Sequence, residues 1–229
     1  MTGTLYAVGV GPGDPELMTV KAVRRMTASQ VIAIPHTDPK CCRAYAIAAE
    51  AVPEIKKKPV LCIDMPMTKE EDRLEKCHEE GAEKIAEALR AGNHVALLTL
   101  GDSTVYASSM YLVERVRKKG YEPEVVSGIP SFCTAAARMG ISLAEKSEEL
   151  HILPGTYGIE EGLKLPGVKV LMKMGKKYPQ IAQLLKQGNY QVFMAENCGM
   201  EDERIYHGVE ELPKEAGYYS LMIVRDKDV

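Results

Sequence analysis

Two glycine-aspartate segments stand where an α/β chain would carry its chemistry. An apolar run at 5–10 leads into Gly9-Val10-Gly11-Pro12-Gly13-Asp14-Pro15-Glu16, and a second at 94–100 leads into Gly101-Asp102-Ser103-Thr104-Val105-Tyr106. Ligands of open α/β sheets bind outside the carboxyl ends of the strands, and glycine lets them approach the backbone closely. A dinucleotide is the first ligand to test, and it fits poorly. The spacing G-x-G-x-x-G begun at Gly9 requires glycine at position 14, where Asp14 stands. Pro12 offers no N–H to a phosphate, and the carboxylates of Asp14 and Glu16 would repel one. No G-x-x-x-x-G-K-[ST] loop occurs elsewhere. A cationic sulfonium tolerates a nearby carboxylate, which directs attention to S-adenosylmethionine. The competing reading of GPGDP is a tight strand-to-helix turn.

A third segment, Ser127-Gly128-Ile129-Pro130-Ser131-Phe132, follows the run at 124–126. Pro130 and Ser131 make an ordinary helix start and hinge; alternatively, Ser131 presents its hydroxyl to a ligand held between two halves of the chain.

These loops need a scaffold, and the rest of the sequence supplies its pattern. Short β-branched and apolar runs at 5–10, 31–34, 60–65, 94–100 and 124–126 alternate with amphipathic stretches at 17–26, 43–51, 70–91 and 105–119. This is the signature of βα units around a largely parallel sheet. Gly92 and Gly120 close the two longest helices, and the mixed charges of 70–91 read as a solvated surface helix. After position 128 the pattern changes to a helix at 131–139, strands at 150–153, 168–174, 191–195 and 218–224, and one helix at 180–187 closed by Gly188. A second, mixed sheet is expected, and the chain divides into α/β domains at 1–127 and 128–229.

Composition narrows the function classes. A net charge of −3 gives no general attraction to nucleic acid or an anionic membrane. The amino-terminal segment lacks a secretory pattern, and no apolar run reaches the roughly 20 residues that span a bilayer. Cys41, Cys42, Cys62, Cys77, Cys133 and Cys198 form no C-x-x-C pair; they read as reduced cytoplasmic thiols, with no metal site. His78, His94, His151 and His207 fall in helices or at strand edges without a pattern.

Five motifs, GVGPGDPELMT, GDSTVY, SGIPSF, VLMKMG and AENCGM, occur in order along nearly the whole chain. Together they resemble the tetrapyrrole methylases, and most of all those that methylate C20 of precorrin-2 or cobalt-factor II in cobalamin biosynthesis. The resemblance implies a two-domain class III methyltransferase fold, each domain a mixed or parallel sheet flanked by helices, with the cofactor in the interdomain cleft. It implies a cytoplasmic homodimer. It places S-adenosylmethionine at Pro12, Leu100, Gly101, Asp102, Val105, Tyr106, Ser131, Phe132, Met172 and Ala195, with S-adenosylhomocysteine as product.

The implied reaction is attack of an electron-rich bridge carbon on the sulfonium methyl, helped mainly by holding the two carbons about 3 to 3.5 Å apart. A substrate bearing several carboxylates calls for local positive charge, for which Lys40, Arg43 and Arg138 are the candidates; the proton lost afterwards goes to water or to a side chain, for which His36 is the nominee. Two positions depart from the family pattern. Ser103 replaces the proline common in that loop, and Pro35, followed by His36, occupies the place of an aspartate thought to act as base in a related methylase. A methylase acting at another ring carbon, a nicotinamide-dependent oxidoreductase and a non-catalytic ligand-binding protein are the alternative readings.

Overall fold

Five of the apolar runs become parallel strands: β1 (Leu5–Gly9), β2 (Val31–Ile34), β3 (Val60–Cys62), β4 (Val95–Thr99) and β5 (Glu124–Val126), in the order β3-β2-β4-β1-β5. This is a computed structural model that describes residues 2–156 and 158–227. The chain forms two units, Met1–Pro130 and Ser131–Val229.

In the first unit both faces of the sheet are covered, which is why its strands read as continuous apolar runs. Leu5, Ala7, Val31, Ala33, Val95 and Leu97 pack against α3 (Glu71–Arg90) and α4 (Ser109–Lys118) through Ile85, Leu89, Leu112 and Val116. The alternate residues Tyr6, Val8, Ile32, Ile34 and Leu98 are buried on the other face, where α1 (Val20–Ala28) and α2 (Arg43–Ala51) contact β1 and β4. Burial of each such side chain contributes about 1.5 to 3 kcal/mol. Strand β1 leads to β2 across β4, whereas β4 leads to β5 across β1. The connections leaving β1 and β4 therefore diverge, and the carboxyl ends of these two neighbours are where an open α/β sheet is expected to bind its ligand.

The long charged helix is more than a solvated face. Glu75, Glu79 and Glu83, one turn apart on α3, meet Arg115 and Lys119 of α4; Lys119 Nζ lies 2.6 Å from Glu79 and 2.8 Å from Glu83, and Arg115 pairs with Glu75. Its hydrogen bonds to the Glu79 and Glu83 carboxylates push the Lys119 ammonium above its usual range.

The second unit holds β6 (Leu150–Pro154), β7 (Val168–Met172), β8 (Tyr190–Glu196), β9 (Arg204–His207) and β10 (Ser220–Asp226), in the order β6-β7-β10-β8-β9. Only β6 and β7 pair in parallel, so this sheet is mixed. Helices α5 (Ser131–Met139), α6 (Ile159–Leu163) and α7 (Tyr178–Gln187) accompany it, and Tyr178, Ile181 and Leu185 of α7 enter its core. Lys169 is fully buried on β7 and donates to Asp226 at 2.8 Å.

Several boundaries differ from the sequence expectation. Helix α1 begins at Val20 because Thr19 caps it, accepting from Ala22 N at 3.1 Å, and Pro15–Leu17 form a separate 3-10 turn. Helix α4 begins at Ser109 and not near 105, since Tyr106 adopts φ +50°. Gly92 and Gly120 stop their helices in the left-handed region (φ +85° and +89°); Gly188 does not, and is required because a Cβ there would lie 2.2 Å from the Tyr190 ring. No helix of the described residues is long and apolar enough to cross a membrane.

Candidate functional site

The loops that leave β1, β4 and β5 touch one another backbone to backbone, and their glycines make this contact possible. Gly11 and Gly101 exchange two hydrogen bonds, with Gly11 N donating to Gly101 O at 3.1 Å and Gly101 N to Gly11 O at 2.8 Å. A Cβ on Gly128 would stand 2.1 Å from the Gly101 carbonyl oxygen, and one on Gly9 would stand 2.6 Å from Gly128 N. Gly101 is different. At φ +73° its Cβ direction meets only Ile129 O, at 3.9 Å, so there is room beside its α-carbon although the residue is buried and its backbone is paired with Gly11.

Asp102 fastens the arrangement. It is 7% exposed; one carboxylate oxygen accepts from Thr104 N (2.7 Å) and Thr104 Oγ1 (2.5 Å), and the other accepts from Gly128 N (2.9 Å). Ser103, fully buried, places its hydroxyl 3.3 Å from both Ala7 O and Val126 O, between β1 and β5. The departure from proline at this position thus has a structural use. Asp14 accepts from Glu16 N at 2.9 Å and caps the 3-10 turn. Pro12 is buried, Leu100 and Val105 are half-buried, and Tyr106 is exposed.

The second unit aligns two more of the expected residues. Met172 on β7 and Ala195 on β8 both pair with Leu221 of β10, so they lie in one row across three strands, about 10 Å apart. The Met172 carbonyl accepts from Gly155 N at 2.6 Å, and Glu196, beside Ala195, accepts from Tyr206 Oη (2.9 Å) and Gly217 N (2.7 Å). Ser131 opens α5 and Phe132 is buried in its first turn.

Backbone strain marks the same places. The non-glycine residues with φ in the left-handed region are Tyr106, Lys146, Lys173 and Asn197, and three of these four adjoin or belong to the loops just described. Such conformations cost on the order of 1 to 3 kcal/mol each and cluster at ligand sites.

The family model for tetrapyrrole (corrin/porphyrin) methylases matches residues 4–213. The chain belongs to this family. It is 30% identical to a probable cobalt-precorrin-2 C(20)-methyltransferase of Methanocaldococcus jannaschii, over 96% of this chain and 95% of that one. It is also 30% identical to a precorrin-2 C(20)-methyltransferase of a Sinorhizobium species, over 97% and 95%. In fold it resembles a cobalt precorrin-4 methyltransferase (TM-score 0.76, 18% identity, 97% and 94% coverage). It likewise resembles the uroporphyrin-III C-methyl transferase of Thermus thermophilus complexed with S-adenosylhomocysteine (TM-score 0.71, 23% identity, 97% of each chain).

In this methylase the residues expected to meet the tetrapyrrole fall in both units. His36, Lys40 and Arg43 share the segment after β2, at the same carboxyl edge as the glycine loops. His36 Nδ1 accepts from Asp38 N at 3.0 Å, and Lys40 is exposed. Arg138 lies on α5 in the second unit, 3.6 Å from Glu203. Glu203 also accepts from Gly199 N at 2.6 Å; burial, and then the charge of Glu203, push the Cys198 thiol up to about 12. Among the described residues, no group of three or more His, Cys, Asp or Glu is placed to hold a metal ion.

Sequence reasoning found the loops but not the clamp between them, because the partnership of Asp102 with Gly128 spans 26 positions. It also passed over His78, which is 7% exposed and stacked on Tyr111 beside a cavity of about 660 Å³. Its place within a charged helix gave no hint of burial.

Proposed function

We propose that this methylase transfers a methyl group from S-adenosylmethionine to C20 of precorrin-2 or its cobalt-containing counterpart, yielding S-adenosylhomocysteine. The C20 assignment draws on two relatives that match nearly end to end at 30% identity. The observation that carries the cofactor is the unfilled space beside the α-carbon of Gly101, at the point where the β1 and β4 connections diverge.

The residues present suit such a cofactor. A Cβ would fill the space beside Gly101, the neighbouring Asp102 carries negative charge, and neither loop bears the lysine of a phosphate cradle. Pro12, Leu100, Gly101, Asp102, Val105 and Tyr106 would hold it in the first unit; Ser131, Phe132, Met172 and Ala195 are the contacts the motif resemblance adds. When bound, the cofactor supplies an electrophilic methyl on a positively charged sulfur.

The chain's own part is positioning. Asp102 and the paired glycines fix the loop backbones before the ligand arrives, so the reacting carbons are brought into line with little reorganisation. Lys40, Arg43 and Arg138 answer the carboxylates of the macrocycle, and His36 receives the proton released from the methylated carbon. Cobalt, where present, belongs to the substrate. The six thiols, all unpaired, support a reducing cytoplasm, and the family resemblance supports a homodimer.

Titration calorimetry with S-adenosylhomocysteine tests the cofactor site. Wild type binds, whereas Gly101→Val, whose side chain fills the open space, loses binding while keeping its fold. Equal affinity of the two would remove Gly101 from the site.

A further inference from the structure

A cavity of about 660 Å³ opens in the first unit at the amino-terminal turns of α3 and α4. None of the glycine-loop residues lines it, but Ser108, which follows the 101–106 loop, does. Its volume is ordinary for a ligand site. On one wall the His78 imidazole stacks on the Tyr111 ring, centroids 5.0 Å apart and planes 13° from parallel. Arg115 lies beside them, held by the Tyr111 carbonyl at 3.1 Å and by the Glu75 carboxylate. Met65 and Met67 belong to the same lining, and Met67 is 77% exposed.

His78 is the uncharged polar ring of this lining. It is 7% exposed, and its ring nitrogens are not among the buried polar atoms that lack a partner. Burial, and then the charge of Arg115, hold the imidazole below its usual pKa, so near neutrality it carries one N–H donor and one acceptor. In the same lining Arg115 Nε is buried without a hydrogen-bond partner, which is destabilising by about 1 to 3 kcal/mol unless something satisfies it. Two hydroxyls stand near by in the lining. Thr68 accepts from Glu70 N at 3.2 Å and keeps its proton to donate, and Ser108 makes no side-chain bond to the α4 terminus it precedes.

We propose that this cavity is a subsite for one pyrrole ring of the tetrapyrrole and its carboxylate side chain, the ring lying against Tyr111 and Met67 and the carboxylate accepting from His78. This rests on the function proposed above and deepens it. Glu71 and Asp72 at the lip oppose an anion, but both are exposed and screened by solvent. Glu75 is engaged by Arg115.

Cobalt-factor II is titrated by absorbance against wild type, Tyr111→Ala, His78→Gln and the double variant Glu71→Gln/Asp72→Asn, with S-adenosylhomocysteine affinity measured in parallel by calorimetry. Tyr111 is half-exposed, so its removal leaves the fold intact. Tyr111→Ala and His78→Gln each weaken tetrapyrrole binding about tenfold and change S-adenosylhomocysteine affinity by less than about twofold; the lip variant tightens tetrapyrrole binding. Wild-type tetrapyrrole affinity in both single variants, or weaker binding in the lip variant, overturns the subsite. Failure of wild type to bind either ligand overturns the function on which it rests.

Discussion

The carboxylate of Asp102 accepts the Gly128 N–H at 2.9 Å, and this bond joins the loop after β4 to the loop after β5. With its other oxygen taken by Thr104, the side chain is a clamp whose hydrogen-bond geometry is set before any ligand binds. In Asp102→Asn one acceptor becomes a donor facing an N–H donor. The expected result is a loss of about 1 to 3 kcal/mol in urea unfolding, together with weaker S-adenosylhomocysteine binding. Unchanged stability would show that the clamp does not contribute.

The loop glycines separate into two kinds. Gly128→Ala drives a methyl group to 2.1 Å from a backbone oxygen and forces the loops apart, whereas Gly101→Ala meets open space and bears only the strain of φ +73°. Urea unfolding should therefore find Gly128→Ala the more destabilising of the two, with Gly101→Ala losing roughly 1 kcal/mol. The reverse order would contradict the contact described between the loops.

Much of this was legible in the sequence, and the failures have physical causes. Alternation of apolar runs with amphipathic stretches revealed the first sheet, because a parallel sheet buried on both faces leaves continuous apolar strands, and several strands with few helices between them revealed the second, mixed one. Strand β9 escaped notice: Arg204–His207 is a four-residue edge strand with exposed ends. The start of α4 was misplaced because nothing local announces that Tyr106 will adopt a positive φ. Glycine was legible as a residue type in the loops, but its reason was not, since the Gly9, Gly101 and Gly128 contact exists only in three dimensions.

His78 makes stability depend on pH. Burial and Arg115 lower its folded-state pKa, while Glu75 opposes them and Tyr111 covers one ring face. The unfolded chain therefore binds the proton more readily, and stability falls as the pH drops below the ordinary imidazole value of 6.5. His78→Gln should show a shallower decline between neutrality and mildly acid pH, by at most about 1.4 kcal/mol per pH unit. Parallel curves for the two proteins would remove the buried neutral imidazole from the account.

Arg43 opens α2 at the carboxyl edge of the first sheet, where a substrate carboxylate would find it. Arg43→Ala is expected to raise the KM for tetrapyrrole several-fold with little change in S-adenosylhomocysteine affinity. Steady-state kinetics with an unaltered KM would assign Arg43 a purely structural role.

The carbon that receives the methyl group can be read directly. Incubating the protein with S-adenosylmethionine labelled with carbon-13 in its methyl, and separately with precorrin-2 and cobalt-factor II, allows the product to be read by NMR. The account predicts one labelled methyl, attached at C20, from at least one of the two substrates. A label at any other ring carbon, or no transfer to either macrocycle, would contradict it.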